Sequence, residues 1–275
     1  MITSVPARVQ RASSRLCGVL RSGAFCALLA AAFVSPVDAA PEGAFLSRFV
    51  AGERLDDGWQ VSHFTIRSNG FRTAWVRDAV GWFDDALSLS LVPSPDEAET
   101  EFHGAEVQRR LRTHYGRYEV EMTAARGEGV ISSFFTYTGP FYGDPQDEID
   151  LEFLGRDTTR VWVTRFAKGA PLPGQWVDLG FDAAEGSHVY AFDWSPEEIV
   201  WYADGRELFR VHADDTAIPD IPGRIMFNIW AGGEAQADWS GVAPGDVKAR
   251  ALYRCVSYRP PGSDAPMCSD GDVGG

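Results

Sequence analysis

The sequence predicts an all-β fold, a sandwich of jelly-roll type, and three observations carry that prediction. Short segments alternate apolar and polar residues with period two, the pattern of a strand with one buried face. No window longer than ten residues shows a helical apolar stripe. An Asp204-Gly205 pair joins two strand-like segments, the signal of a tight hairpin. The composition suits such a core: 45% of the 275 residues are hydrophobic and 12% are aromatic, too many for a disordered chain.

The elements follow in chain order. Arg8, Arg11, Arg15 and Arg21 precede an apolar run from Gly23 to Val34, shorter than the ~20 residues of a membrane span. Val37 and Ala39 then provide the small residues of a cleavage site. Residues 1–39 are therefore read as a secretory signal peptide. The product would be secreted or periplasmic, with no membrane anchor in the mature chain. Residues 40–260 show no linker and read as one domain. Strands are expected over Ala86–Val92, Gly116–Met122, Val130–Tyr137, Val189–Trp194, Ile199–Tyr202, Glu207–Val211, Arg224–Trp230 and Ala249–Tyr258. Pro93–Thr100 reads as an exposed loop. Residues 261–275 read as a tail, loose beyond Cys268.

Charge and cysteine content exclude several functions. A net charge of -14 repels phosphate backbones and anionic lipid heads, so no nucleic-acid partner is expected. Cys17 and Cys26 would leave with the signal peptide. Cys255 and Cys268 remain for an oxidising compartment, where a local disulfide is the plain reading. His63, His103, His114, His188 and His212 lack metal-ligand spacing. No metal or other cofactor is implied.

The sharpest feature is Asp147-Glu148-Ile149-Asp150-Leu151-Glu152-Phe153-Leu154. On a strand, Glu148, Asp150 and Glu152 share one face, and Ile149, Leu151 and Phe153 share the other. A merely wetted edge strand would mix charge signs or use Ser and Thr, because three like charges in a row repel. Phe134, Phe135 and Tyr137 precede this segment, and Trp230 and Trp239 follow it. Aromatic rings around carboxyls suit a sugar cleft. The Cα atoms of Glu148 and Glu152 would lie roughly 13 Å apart on an extended strand. Leaning side chains bring the carboxyls within reach of the ~5–5.5 Å used by retaining glycosidases. Asp150 between them can hydrogen-bond the nucleophile.

Glu148-Ile149-Asp150-Leu151-Glu152 resembles the Glu-x-Asp-x-Glu signature of glycoside hydrolase family 16. The flanks resemble its bacterial lichenase branch: Ser132 to Pro140, Phe153-Leu154-Gly155, Asp157-Thr158-Thr159, Leu179-Gly180-Phe181-Asp182, Tyr190 to Trp194, and Trp201 to Gly205. The resemblance runs from about residue 68 to 258. It implies a concanavalin A-like sandwich of two curved antiparallel sheets with a concave cleft, and endo-cleavage of β-linked polysaccharide with retention.

By position, the resemblance makes Glu148 the nucleophile, Asp150 its assistant and Glu152 the general acid/base. It makes Asn69, Glu106, Phe135, Tyr137, Asn228, Trp230 and Trp239 substrate contacts. Three departures fall at further sugar-contact positions: Gln108 for Arg, Gln146 for Trp and Thr164 for Asn. Gly104 stands at one position of the branch's usual cysteine pair, and Arg254 replaces a calcium-binding Asp. The chain also resembles rhizobial glycanases that trim succinoglycan-type exopolysaccharide. A monomeric endo-β-1,3-1,4-glycanase is expected, with an endo-transglycosylase or a non-catalytic carbohydrate-binding protein as alternatives.

Overall fold

The computed structural model describes residues 43–66 and 71–271. The expected signal peptide and Asn69 lie outside the described residues. Two sheets face each other. One, the cleft sheet, runs in the order Trp59–Val61, Phe102–Arg109, Arg224–Ala231, Val130–Thr138, Asp147–Leu154, Arg160–Ala167, Gln175–Asp178. In the outer sheet, Ala249–Arg259 pairs on one side with Ala86–Pro93 and Phe45–Arg48. On its other side follow Gly116–Thr123, His188–Trp194, Glu198–Ala203 and Arg206–His212.

The sheets close on a core because period-two alternation sends every second residue inward. The cleft sheet contributes Ala105, Val107, Phe134, Ile149, Leu151, Phe153, Ile225, Phe227 and Ile229. The outer sheet contributes Tyr118, Val120, Met122, Tyr190, Phe192, Trp194 and Tyr253. Asp204 and Gly205 both adopt positive φ, 46° and 76°, as the tight hairpin there requires.

The structure departs from the sequence reading in three places. Phe102–Arg109 and Arg160–Ala167 are full strands in the cleft sheet, although neither shows a simple apolar run. Phe102–Arg109 is buried on both faces at most positions, because strands flank it and the concave side is itself filled. Thr73–Trp75 pairs in parallel with Phe102–Gly104, an exception to the expected antiparallel order. The Val80–Phe83 and Ala86–Pro93 hairpin between them returns the chain to the same end of the sheet. Finally, the tail is packed through Ser269: its backbone N–H and its hydroxyl donate to the buried Glu119 carboxylate at 2.9 and 3.0 Å. Cys268 N–H donates to Ser257 Oγ at 3.0 Å.

Cys255 and Cys268 are joined by a disulfide that closes a short loop onto the outer sheet. Cys268→Ser is expected to lower the free energy of unfolding by about 3 kcal/mol, the chain-entropy value for a loop of this size. Urea titration of the parent and the variant measures the difference. Equal midpoints and slopes would show that the Glu119 bonds hold the tail without the cross-link.

Candidate active site

The strand Asp147–Leu154 splits its side chains as the alternation demands. Ile149, Leu151 and Phe153 enter the core, while Glu148, Asp150 and Glu152 face the cleft. Strand pairing sets their neighbours. Tyr137 and Phe166 flank Glu148, Phe135 and Thr164 flank Asp150, and Ser133 and Trp162 flank Glu152. One cross-strand row runs Glu106, Asn228, Ser133, Glu152, Trp162, Trp176. Five of the sequence-selected residues (Glu106, Phe135, Tyr137, Asn228 and Trp230) thus lie on strands of this sheet.

The outer sheet reaches through the core to hold this floor. The Trp201 indole N–H donates to the Asp150 carbonyl at 3.1 Å. The Tyr253 hydroxyl bonds the Ser133 carbonyl at 3.0 Å and the Asn228 carbonyl at 3.2 Å. At the strand's start, the buried Asp147 carboxylate accepts three backbone N–H groups: Lys168 at 2.6 Å, Asp220 at 2.8 Å and Ile221 at 3.0 Å. Asp147 and Trp201 received no role in the sequence reading. Acidic and aromatic side chains on the core face leave no periodic signal of what they will bond.

A chain of hydrogen bonds fixes Glu106. Tyr142 OH donates to Gln108 Oε1 at 2.9 Å, Gln108 Nε2 to Ser62 Oγ at 2.9 Å, and Ser62 Oγ to Glu106 Oε1 at 2.7 Å. Asn228 bonds Glu106 and accepts from Ser133 Oγ at 2.5 Å. Gln108 is therefore buried and committed within the protein. Thr164 Oγ1 donates to the Leu172 carbonyl at 3.3 Å. Gln146 Nε2 donates to Glu148 Oε2 at 2.6 Å.

Aromatic rings wall the floor. Trp230 and Trp239 join Trp75, Phe71, Trp162 and Trp176 in a second apolar cluster that includes Leu154, outside the inter-sheet core. Trp162 packs so closely on Gly174 that a Cβ there would overlap its ring. Phe134, one of the expected neighbours of the acids, instead points into the core. Toward the opposite side, the Pro140–Tyr142 turn carries Phe141, an exposed ring in edge contact with Tyr142.

Burial dominates the electrostatics. It pushes Glu148 up to about 7, against hydrogen bonds from Gln146 and Asp150 that favour its charged form. It pushes Glu152 up to about 8, and the Glu148 charge adds to the rise. Asp150 is driven well above the ordinary range by burial, then by the charges of Glu148 and Glu152. Its bond to Glu148 has the sense of a protonated Asp150 donating to an ionised Glu148. Glu106 is also raised by burial, with Ser62 and Asn228 opposing. The floor can therefore hold protonated and ionised carboxyls side by side near neutrality.

Residues 67–248 match the profile of Glycosyl hydrolases family 16. The chain belongs to this family. A Beta-glucanase of Bacillus amyloliquefaciens is 38% identical over 243 residues, covering 88% of this chain and 97% of that one. A Beta-glucanase of Bacillus subtilis is 41% identical over 201 residues, covering 73% and 80%. A solved prokaryotic beta-1,3-1,4-glucanase (lichenase) from a mouse hindgut metagenome superposes with TM-score 0.74 at 37% identity, covering 80% of this chain and all of that one.

Gly104 lies where the chain is tightly packed. A Cβ on it would stand 2.6 Å from Thr73 Cγ2 and overlap the Ile229 carbonyl. Among the described residues, no three His, Cys, Asp or Glu side chains group to hold a metal ion.

The raised carboxyls carry a stability cost with a definite sign. Between its ordinary value of 4.5 and about 8, Glu152 binds more protons in the folded chain than in the unfolded one. Stability therefore falls as pH rises through that window. Glu152→Gln preserves shape and removes the charge. It is expected to raise the unfolding temperature over the parent at pH 8, with the gain shrinking toward pH 5. Calorimetry at both pH values measures this, and a gain independent of pH would refute the buried-acid origin.

Proposed function

We propose that this family 16 member is an exported, retaining endo-β-1,3-1,4-glycanase acting on β-glucan. The observation that carries the reading is the placement of Glu148 and Glu152 on one cleft face, with Asp150 between them bonded to Glu148. Beta-glucanase relatives across most of the chain support the substrate class. The basic and apolar start of the sequence supports export.

In the proposed mechanism Glu148 attacks the anomeric carbon as a carboxylate. Glu152 gives its proton to the glycosidic oxygen, and the C–O bond breaks as the Glu148 ester forms. The leaving chain departs with that proton. Glu152, now ionised, takes a proton from water while the water oxygen displaces Glu148 from the anomeric carbon. Two inversions return the β-configuration. Asp150 donates to Glu148 before attack and can release that bond as the carboxylate becomes an ester. Trp230, Trp239, Trp162 and Tyr137 supply faces and edges for pyranose rings, and Glu106 and Asn228 supply polar contacts held by Ser62 and Ser133.

Mixed-linkage glucan is the substrate of first choice. Succinoglycan-type exopolysaccharide is the comparison, because Gln108, Gln146 and Thr164 stand at positions where lichenase-like relatives are expected to contact sugar. All three make bonds within the protein. Reducing-sugar release from the two polymers, run in parallel, ranks them. Release from neither would reject the glycanase reading.

Glu152→Ala is expected to lower turnover of β-glucan about 10²–10⁴-fold. It should spare the first step for an aryl glycoside whose leaving group needs no proton, and azide should restore turnover with a β-glycosyl azide as product. NMR of the first-formed sugar from the parent enzyme gives the stereochemistry. An α-product would rule out the Glu148 ester.

A further inference from the structure

We infer that Gln146 is a positioning residue for the nucleophile: its side-chain amide holds the Glu148 carboxylate in place, and Asp147 clamps the backbone that carries it. The inference rests on the reading of Glu148 as nucleophile and goes beyond the signature triplet. Glu148, Asp150 and Glu152 alternate on the strand Asp147–Leu154 and share one face, and Gln146, directly before that strand, reaches the same face through its bond to Glu148. Gln146 is one pleat outside the triplet, within amide reach of Glu148, and its Nε2 stands 2.6 Å from Glu148 Oε2.

Its mount is rigid. The Gln146 carbonyl accepts the Gly169 N–H at 2.8 Å. The next residue, Asp147, points the other way and takes three backbone N–H groups from two separate loops. Charged Lys168 and Asp220 pair outside this clamp at 3.3 Å. The amide is thus fixed relative to both the strand and the loops at its end. Glu148 is held from two sides, by Gln146 beyond the triplet and by Asp150 within it. Two donors leave a carboxylate few orientations, and a fixed orientation is what a near-attack geometry needs.

The chemistry of the residue type is specific. A carboxamide offers N–H donors and no charge, so it stabilises the ionised nucleophile without neutralising it. An isosteric carboxylate at 146 would remove the donor and add like charge. An alkyl group would remove the donor alone. The other groups around Glu148 are Asp150 and Glu152 on its own strand, Tyr137 on one neighbouring strand, Phe166 on the other, and Glu106 farther across the sheet. None of these changes when Gln146 is replaced, so a change in the titration of the nucleophile reports the amide.

The test compares full-length exported parent, Gln146→Leu, Gln146→Glu and Gln146→Asn. The substrates are mixed-linkage glucan and an aryl β-oligoglucoside with a good leaving group. Gln146→Leu is expected to lower kcat by about 10- to 100-fold with KM little changed, the range for losing a hydrogen bond to a charged group. Its acid limb in kcat/KM should move up by about one pH unit. Gln146→Glu, matched in shape, should move that limb further, and Gln146→Asn should recover part of the shift. Thermal unfolding confirms that each variant is folded, and the isosteric Glu variant stands in if Leu fails.

An acid limb unchanged in both the Leu and Glu variants of an active enzyme would overturn the inference and leave the glycanase reading intact. A rise in KM alone would make Gln146 a sugar contact, which also overturns it. A parent inactive on both substrates would reject the glycanase reading, and the inference would fall with it.

Discussion

Three carboxyls on alternate residues of one strand are an unfavourable arrangement, and the rest of the structure is organised around sustaining it. Asp150 is buried and Glu148 and Glu152 are half-buried on the cleft floor, and the Glu148 charge opposes ionisation of both Asp150 and Glu152. What holds the strand in place is its other face. Ile149, Leu151 and Phe153 are fully buried between the sheets, each a transfer worth roughly 1.5–3 kcal/mol. A one-residue slip in register would bury the acids in the core and expose the apolar set. The alternation that makes the site costly is therefore the alternation that makes its register unique.

Apolar burial alone would leave the strand free to shift by fractions of an ångström, which the proposed displacement at carbon would not tolerate. The polar contacts across the core remove that freedom. Trp201 from the outer sheet bonds the Asp150 carbonyl, Tyr253 bridges the carbonyls of Ser133 and Asn228, and Asp147 gathers three amides at the strand's start. Each buried donor or carboxylate here has its partner, so the supports add rigidity without the penalty of an unpaired group. Among the buried side-chain atoms of the acid triplet, Asp150 Oδ2 is the one left unpaired within the protein.

The acid row was legible in the sequence because period two is a local property: charge, spacing and facing follow from five residues. The long outer-sheet strands were legible for the same reason. Phe102–Arg109 and Arg160–Ala167 were not, since Gly104, Glu106, Arg160 and Arg165 interrupt any apolar alternation, and only pairing on both sides makes them strands. Glu106 and Asn228 were found through family resemblance. The row that aligns them with Ser133, Glu152 and Trp162 depends on the registers of separate strand pairs, which no short window encodes. Gln146 lay in plain view as the next alternate position. Its bond to Glu148 becomes visible only with the rotamer.

The same reasoning explains why substitution at sugar-contact positions need not weaken the chemistry. Gln108 belongs to the bonded chain from Tyr142 through Ser62 to Glu106, and Gln146 bonds Glu148. In both cases a side chain that resemblance assigns to substrate has been turned toward the protein. Under the proposed function, a cleft that gives up such contacts draws more of its binding from ring faces, for which the half-buried Trp239 and Trp162 and the exposed Phe141 are candidates. Ring stacking discriminates little between hydroxyl patterns, whereas hydrogen bonds discriminate strongly. In the proposed function the altered positions therefore bear on which polysaccharide is cut, and the Glu148, Asp150 and Glu152 strand bears on how.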